Sequence, residues 1–317
     1  MRKVIDLCLD MPSFAEDLVN SACRFCLPET KNLWAGYRNN FNGGLERKIG
    51  LTFREMDRIL AEEGREAFMK KITESAKANA PTLEDHVKYL DEIGVVWGMT
   101  CHNTHDNDVT ASLVNQYPDR FGGFCFVDPM KGMEAVREFE RGVKELGLKA
   151  LYITGFRTHI PANDKHNYPL YAKAVELGVP VFIYCSMNLS AAVPMDIGHP
   201  KYVDEVARDF PELKIIASVS GWPWTQEFVG LALRHPNVYL NMETNAPENI
   251  LKDGRGLEAL RYWIPYLQDK FFFSSNWNDL NIPLGDLIKQ VEAWPYSDEI
   301  KDKVLYKNAA KFFGIDK

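Results

Sequence analysis

The feature that most constrains this chain is an alternation that runs from end to end. Short apolar runs rich in β-branched and aromatic residues alternate with segments whose apolar positions recur at helical spacing. Eight runs read as strands: Val4–Leu9, Val95–Thr100, Gly122–Val127, Leu148–Thr154, Val179–Tyr184, Leu213–Ser218, Asn237–Met242 and Lys270–Ser275. Helix-like stretches lie among them at Thr82–Ile93, Met133–Leu146, Tyr168–Leu177, Tyr202–Phe210 and Trp224–Arg234, and Asp298–Phe313 closes the chain. Runs such as VVWGMT and PVFIY are apolar at nearly every position, which asks for burial on both faces. Parallel strands beneath a helical layer meet that demand. The α/β class and the count of eight predict a TIM-type (β/α)8 barrel.

A barrel of this type needs about 250 residues, and the chain has 317. The excess sits mainly in Pro12–Pro81, rich in helix formers and aromatics and without a strand signal. It reads as a helical cap (13–81) inserted after the first strand, within one domain spanning 1–317.

Charge and apolar content narrow the functional classes. Net charge is −7 without a long basic run, so nucleic acid is not an expected partner. No apolar run reaches the roughly 18 to 20 residues of a membrane helix. The opening MRKVIDLCLDMP carries charge and proline where a signal peptide would be apolar. A cytoplasmic protein with reduced thiols, away from membranes, is expected. Cys23 and Cys26 form a CxxC with no second pair, too few ligands for a tetrahedral metal site.

Several strings together are more specific: IDLCLD at the first strand, NQYPDRFGGFCFVDP near the third, HPKYVDEVARDFPELKII before the sixth, then GWPW, HPNVYLN and KVLYKNAAKFFGI. In order and spacing the chain resembles the amidohydrolase-related proteins of the aminocarboxymuconate-semialdehyde decarboxylase type from Val4 to Ile315. The resemblance implies the barrel fold, a small-molecule substrate and a homodimer. It also implies metal ligands at strand ends: His-x-His on strand one, single histidines ending strands five and six, and an aspartate on strand eight. Those positions hold Cys8 and Asp10, Tyr184, Ser218 and Asn276, so none of the five ligands is retained. Cys8 and Asp10 share one face of a strand and offer at most a weak site for a divalent cation. Tyr184, Ser218 and Asn276 are poor zinc ligands beside imidazole or carboxylate, so no cofactor is expected. Zinc-bound water gains roughly 12 kcal/mol of activation through its lowered pKa. General acid–base catalysis supplies about 3 to 5 kcal/mol, so the expected substrate is an intrinsically reactive carbonyl.

Barrel active sites lie where strands end, and position therefore ranks the candidates. The loop Cys101-His102-Asn103-Thr104-His105-Asp106 is the densest ionisable cluster. It offers His102 or His105 as general base or acid with Asp106 to orient it, or a partial new metal site together with Asp10, or else solvated loop residues capping the next helix. Arg157 after strand four is placed to clamp a substrate carboxylate, with His159 beside it. Asp10 and Glu243 are candidate proton carriers, the latter if burial raises its pKa. Tyr184, Ser218 and Asn276 are candidates to polarise a carbonyl, and Trp222 either packs its loop or lines the pocket. His86, His166, His199 and His235 read as helix or surface residues. The expected activity is a metal-independent hydrolase that opens a lactone or cyclic 1,3-dicarbonyl of a small acid. A non-oxidative decarboxylase and an inactive ligand-binding barrel are the alternatives.

Overall fold

A computed structural model describes residues 2–11, 15–40, 43–102 and 104–315, with the side chains of 16 and 17 not described. Pro12 at the start of the expected cap and Asn103 in the histidine loop therefore lie outside the described residues. Eight parallel strands follow one another in sequence order: β1 (Val4–Asp6), β2 (Val95–Thr100), β3 (Phe121–Cys125), β4 (Ala150–Ile153), β5 (Val181–Tyr184), β6 (Ile215–Ser218), β7 (Val238–Asn241) and β8 (Phe271–Phe272). Each overlaps its sequence-derived run, and most are shorter at the carboxyl end.

The shortening of β1 has a local cause. The Asp6 carboxylate accepts the Cys8 N–H at 3.1 Å, diverting a backbone donor from the strand ladder. The same carboxylate accepts the Ser275 N–H at 2.8 Å and the Ser275 hydroxyl, tying the first strand to the segment after β8. Backbone bonds from Leu7 N–H to Phe273 C=O (3.1 Å) and from Asn276 N–H to Cys8 C=O (2.9 Å) complete the closure. The structure is thus a TIM barrel whose seam is knitted by a buried acid.

Inside the barrel Ile5, Trp97, Met99, Phe124, Phe182 and Phe272 fill the axis, as alternate inward positions on parallel strands must. A second, larger apolar layer lies between the strands and the surrounding helices. The helix α1 (Ala15–Cys26), α2 (Ala35–Asn40), α3 (Gly43–Ile49) and α4 (Phe53–Asn79, broken at Gly64) make the cap, with a core of their own around Phe25, Phe68 and Ile72. Hydrogen bonds fasten it to the barrel: Asn188 Nδ2 donates to the Tyr37 hydroxyl (2.8 Å), Ala191 N–H donates to Leu33 C=O (3.1 Å), and Arg47 Nη1 donates to Asn281 Oδ1 (2.7 Å). At Gly44 on α3 the approach is closer still, since a Cβ there would strike the backbone of Asn278. Gly44→Ala should therefore destabilise the fold by about 1 to 3 kcal/mol, measured by urea unfolding. An unchanged midpoint would mean that the cap does not seat as described.

The expected helices form with shifted ends. Thr82 caps Leu83–Glu92 by accepting the Asp85 N–H, and the helix expected at Tyr202 starts earlier, at Pro200, where proline is favoured. The closing helix is not uniform: a wider turn at Lys303–Lys307 separates Asp298–Asp302 from Asn308–Phe313, and there Val304 C=O accepts the Phe273 N–H (3.0 Å). Among the described residues no helix is long and apolar enough to cross a membrane.

Candidate active site

At the carboxyl ends of the strands, beneath the cap, lies a cavity of about 980 Å³. The backbone around it is unusual. His105, Val219, Thr244 and Asn276 line it in the left-handed region, at φ of 59°, 75°, 62° and 48°. Val219 and Thr244 are β-branched, so each costs about 1 to 3 kcal/mol there, and such strain concentrates at functional sites.

Tyr152, the third residue of β4, points inward and is held by Phe124 and Phe126 at ring centroid distances of 5.2 and 5.7 Å. Its hydroxyl thereby reaches Glu243, two residues past β7, and donates at 3.1 Å to each carboxylate oxygen. Glu243 is only 5% exposed. Its backbone N–H and that of Val219 both donate to Asn241 Oδ1 (3.3 and 3.1 Å), which fixes the loop. Burial is the main cause that pushes the Glu243 carboxyl up to about 7; hydrogen bonds from Cys8 and Tyr152 oppose it, and the charges of Asp10 and Asp6 add to it. Asp279 is likewise pushed to about 7 by burial and by Asp10, and Asp6 to about 6. Burial also raises Asp10. The cavity floor thus holds several carboxyl groups that resist ionising together.

Of the residues singled out from the sequence, the structure brings Cys8, Asp10, His105, Arg157, Tyr184, Trp222, Glu243 and Asn276 to this cavity. His102, His159 and Ser218 do not line it. His102 is buried in its own loop, with Nδ1 at 2.8 Å from Thr104 Oγ1. Asp106 does not orient a histidine; it caps α5 (Asn107–Val114 in the barrel layer) by accepting the Val109 N–H. His105 packs edge-on against Phe126 at 4.2 Å. Ser218 accepts from Asn241 Nδ2 (3.1 Å) below the floor. Tyr184 donates its hydroxyl proton to Met187 C=O (2.9 Å), and Asn276 Nδ2 donates to Thr244 Oγ1 and Asp279 Oδ2 (2.8 and 3.0 Å). Tyr184 and Asn276, expected to polarise a carbonyl, therefore already spend these donors within the protein, and Ser218 does not reach the cavity. Tyr152, Asp6 and Asp279 escaped the sequence reading. Tyr152 sits mid-strand in an apolar run, and only the inward side of β4 could have flagged it.

The donor set does not fit a metal of the kind the resemblance implies. Asp10 Oδ2 accepts the Asn278 N–H (2.8 Å), the Tyr184, Ser218 and Asn276 side chains are engaged as above, and the Cys8 thiol is held far above its ordinary pKa by burial and by acidic neighbours. Among the described residues no three His, Cys, Asp or Glu side chains converge as a metal-binding group.

A family model described as amidohydrolase matches residues 58–315. The chain belongs to the amidohydrolase family. Among amidohydrolase relatives, a 2-keto-4-carboxy-3-hexenedioate hydratase from Sphingobium sp. (strain NBRC 103272 / SYK-6) is 29% identical over 205 residues. That match spans 57% of this chain and 56% of the hydratase, a little over half of either. A gamma-resorcylate decarboxylase from Polaromonas sp. (strain JS666 / ATCC BAA-500) is 26% identical over 238 residues, 66% of each chain. A TIM-barrel protein from Bordetella bronchiseptica superposes with a TM-score of 0.69 across 99% of both chains at 20% identity, a likeness of fold.

Proposed function

We propose that this amidohydrolase-family enzyme adds water to an activated carbonyl of a small carboxylated substrate, by acid–base chemistry of its own side chains and without a metal. The observation that carries this is the Tyr152–Glu243 pair: a buried carboxyl on the floor of the cavity, with both oxygens fixed by one phenol. A base with a pKa near the working pH is the most effective proton carrier. Glu243 removes a proton from water as the water oxygen bonds to the carbonyl carbon. It then returns that proton to the leaving atom as the ring bond breaks. Arg157, in the cavity wall, anchors a substrate carboxylate. Glu243 takes the role that the sequence reading gave to the loop histidines. Opening of a lactone or cyclic 1,3-dicarbonyl fits this scheme. Hydration of a conjugated keto acid, the activity in the Sphingobium relative's name, uses the same base and the same water.

A non-oxidative decarboxylase is the second reading, favoured by the similarity to the Polaromonas enzyme. A panel of lactones, cyclic diketones, unsaturated keto acids and hydroxybenzoates, run in ¹⁸O-labelled water, separates the two. Water addition places one ¹⁸O in the product with no loss of mass as carbon dioxide. Release of carbon dioxide from a hydroxybenzoate, with no label incorporated from any other member of the panel, would overturn the proposal in favour of the decarboxylase.

A further inference from the structure

Away from the cavity, the cap gathers sulfur atoms that the barrel chemistry does not use. Cys23 and Cys26 lie in the last turn of α1, three positions apart and so on one face of the helix. By itself this CxxC is two ligands short of a tetrahedral site, but α4 supplies a further sulfur. The Cys23 thiol points at Met69 Sδ, with the two sulfurs 3.3 Å apart. All three residues belong to the apolar core of the cap, Cys26 fully buried and Cys23 and Met69 half-buried at its edge. A thiol donates weakly and a thioether accepts weakly, so little holds this pair against a better partner for both sulfurs.

The spacing suits a shared metal. Metal–sulfur bonds of about 2.3 Å in a trigonal plane place the sulfurs about 4 Å apart. The Cys23–Met69 pair is close to that, and methionine, with three rotatable bonds, absorbs the difference. On a helix, Cβ atoms three positions apart are about 5 to 6 Å from one another, which lets two cysteine sulfurs converge at the same spacing. Donor chemistry then selects the ion. Two thiolates and a thioether are soft ligands, and soft ligands suit monovalent copper. Zinc requires a fourth ligand, and among the described residues no third Cys, His, Asp or Glu joins the two cysteines. Arg65 acts on Cys23, and Arg38 and Lys31 act on Cys26, which offsets the charge of two thiolates. The acids that oppose them, Glu29 and Asp57, are themselves paired with Arg65 and Arg38.

We infer that Cys23, Cys26 and Met69 form a three-sulfur site for a soft monovalent cation of the copper(I) class, which ties α1 to α4 inside the cap. The site is separate from the cavity and does not rest on the water-adding reading. On binding, each thiol releases its proton to solvent and each of the three sulfurs donates a lone pair to the cation, with no change of oxidation state. Burial raises both thiols, Cys26 to about 12, so the cation displaces protons and its affinity climbs with pH.

Competition of the reduced full chain, under anaerobic conditions, against a chromophoric copper(I) chelator tests this. Wild type should retain one copper(I), more tightly at about pH 8 than at about pH 6, and X-ray absorption should find three sulfurs around it. Cys23→Ser, Cys26→Ser and Met69→Leu should each weaken binding at least about tenfold, since even groups behind the ligands of a metal carry that much. Met69→Leu nearly conserves volume, serves where a cysteine variant does not fold, and should lower the sulfur count to two. Cys101→Ser, which removes a free thiol of the barrel cavity, should change the affinity less than about twofold. A wild type that yields all its copper to the chelator, a Met69→Leu variant with unchanged affinity and sulfur count, or an equal loss in Cys101→Ser would overturn the site.

Discussion

Glu243→Gln, which keeps the shape of the side chain and removes its titration, should lower turnover about 10²- to 10⁴-fold, the range that a positioned general base supplies. Wild-type kcat/KM should rise with pH through about 7, as the buried carboxyl becomes its ionised, proton-accepting form. The residual rate of the variant should lose that inflection. Tyr152→Phe should cost less, because it removes the group that orients both carboxylate oxygens but not the base itself. Steady-state kinetics across pH 5.5 to about 8.5 on the substrate found in the labelled-water panel would read all three. A glutamine variant with full activity and an unchanged profile would remove Glu243 from the chemistry.

The second large effect concerns stability and has the opposite sign. Glu243, Asp279 and Asp6 are acids whose folded pKa values, about 7, 7 and 6, lie above their ordinary ones, mainly through burial. The folded state then binds more protons than the unfolded chain between those limits, and stability falls as pH rises through that window. Below the unfolded pKa the cost is absent, and above the folded pKa it is complete. Buried His86, pushed down to about 4, works the other way and offsets part of the gain below its ordinary 6.5. The melting temperature should therefore be higher near pH 6.5 than at pH 8, by a few degrees for a chain of this size. Glu243→Gln should stabilise the protein at pH 8 and flatten this dependence, the usual exchange of activity for stability at a strained site. Calorimetry at the two pH values checks both. A wild type that melts higher at pH 8 would show that these carboxyls ionise without cost.

Much of the fold was legible because its signal is periodic. Apolar runs buried on both faces alternate with amphipathic helices, and a TIM barrel is the simplest architecture for eight such runs in sequence. Strand ends were less legible because side chains decide them, as when Asp6 draws the Cys8 N–H out of the ladder. The candidate site was legible by position at Arg157, Glu243 and Asp10, which follow strands and line the cavity. The histidine-rich loop misled, because residue type says nothing of direction. Thr104 and the helix that Asp106 caps hold that loop by its own hydrogen bonds, and His102 is buried there and does not line the cavity. Tyr152 was invisible for the converse reason. Its phenol is the polar end of an otherwise apolar strand residue, and its role exists only because β7 delivers Glu243 to it from 91 positions away.

Central to the account is a carboxyl on the cavity floor that holds its proton near neutral pH. Infrared difference titration of wild type against Glu243→Gln measures that proton directly, through the carbonyl band of the protonated acid. The band should be present at pH 6 and should disappear with a midpoint at about 7. A Glu243 band that is already absent at pH 6, with titration near the ordinary 4.5, would contradict the account.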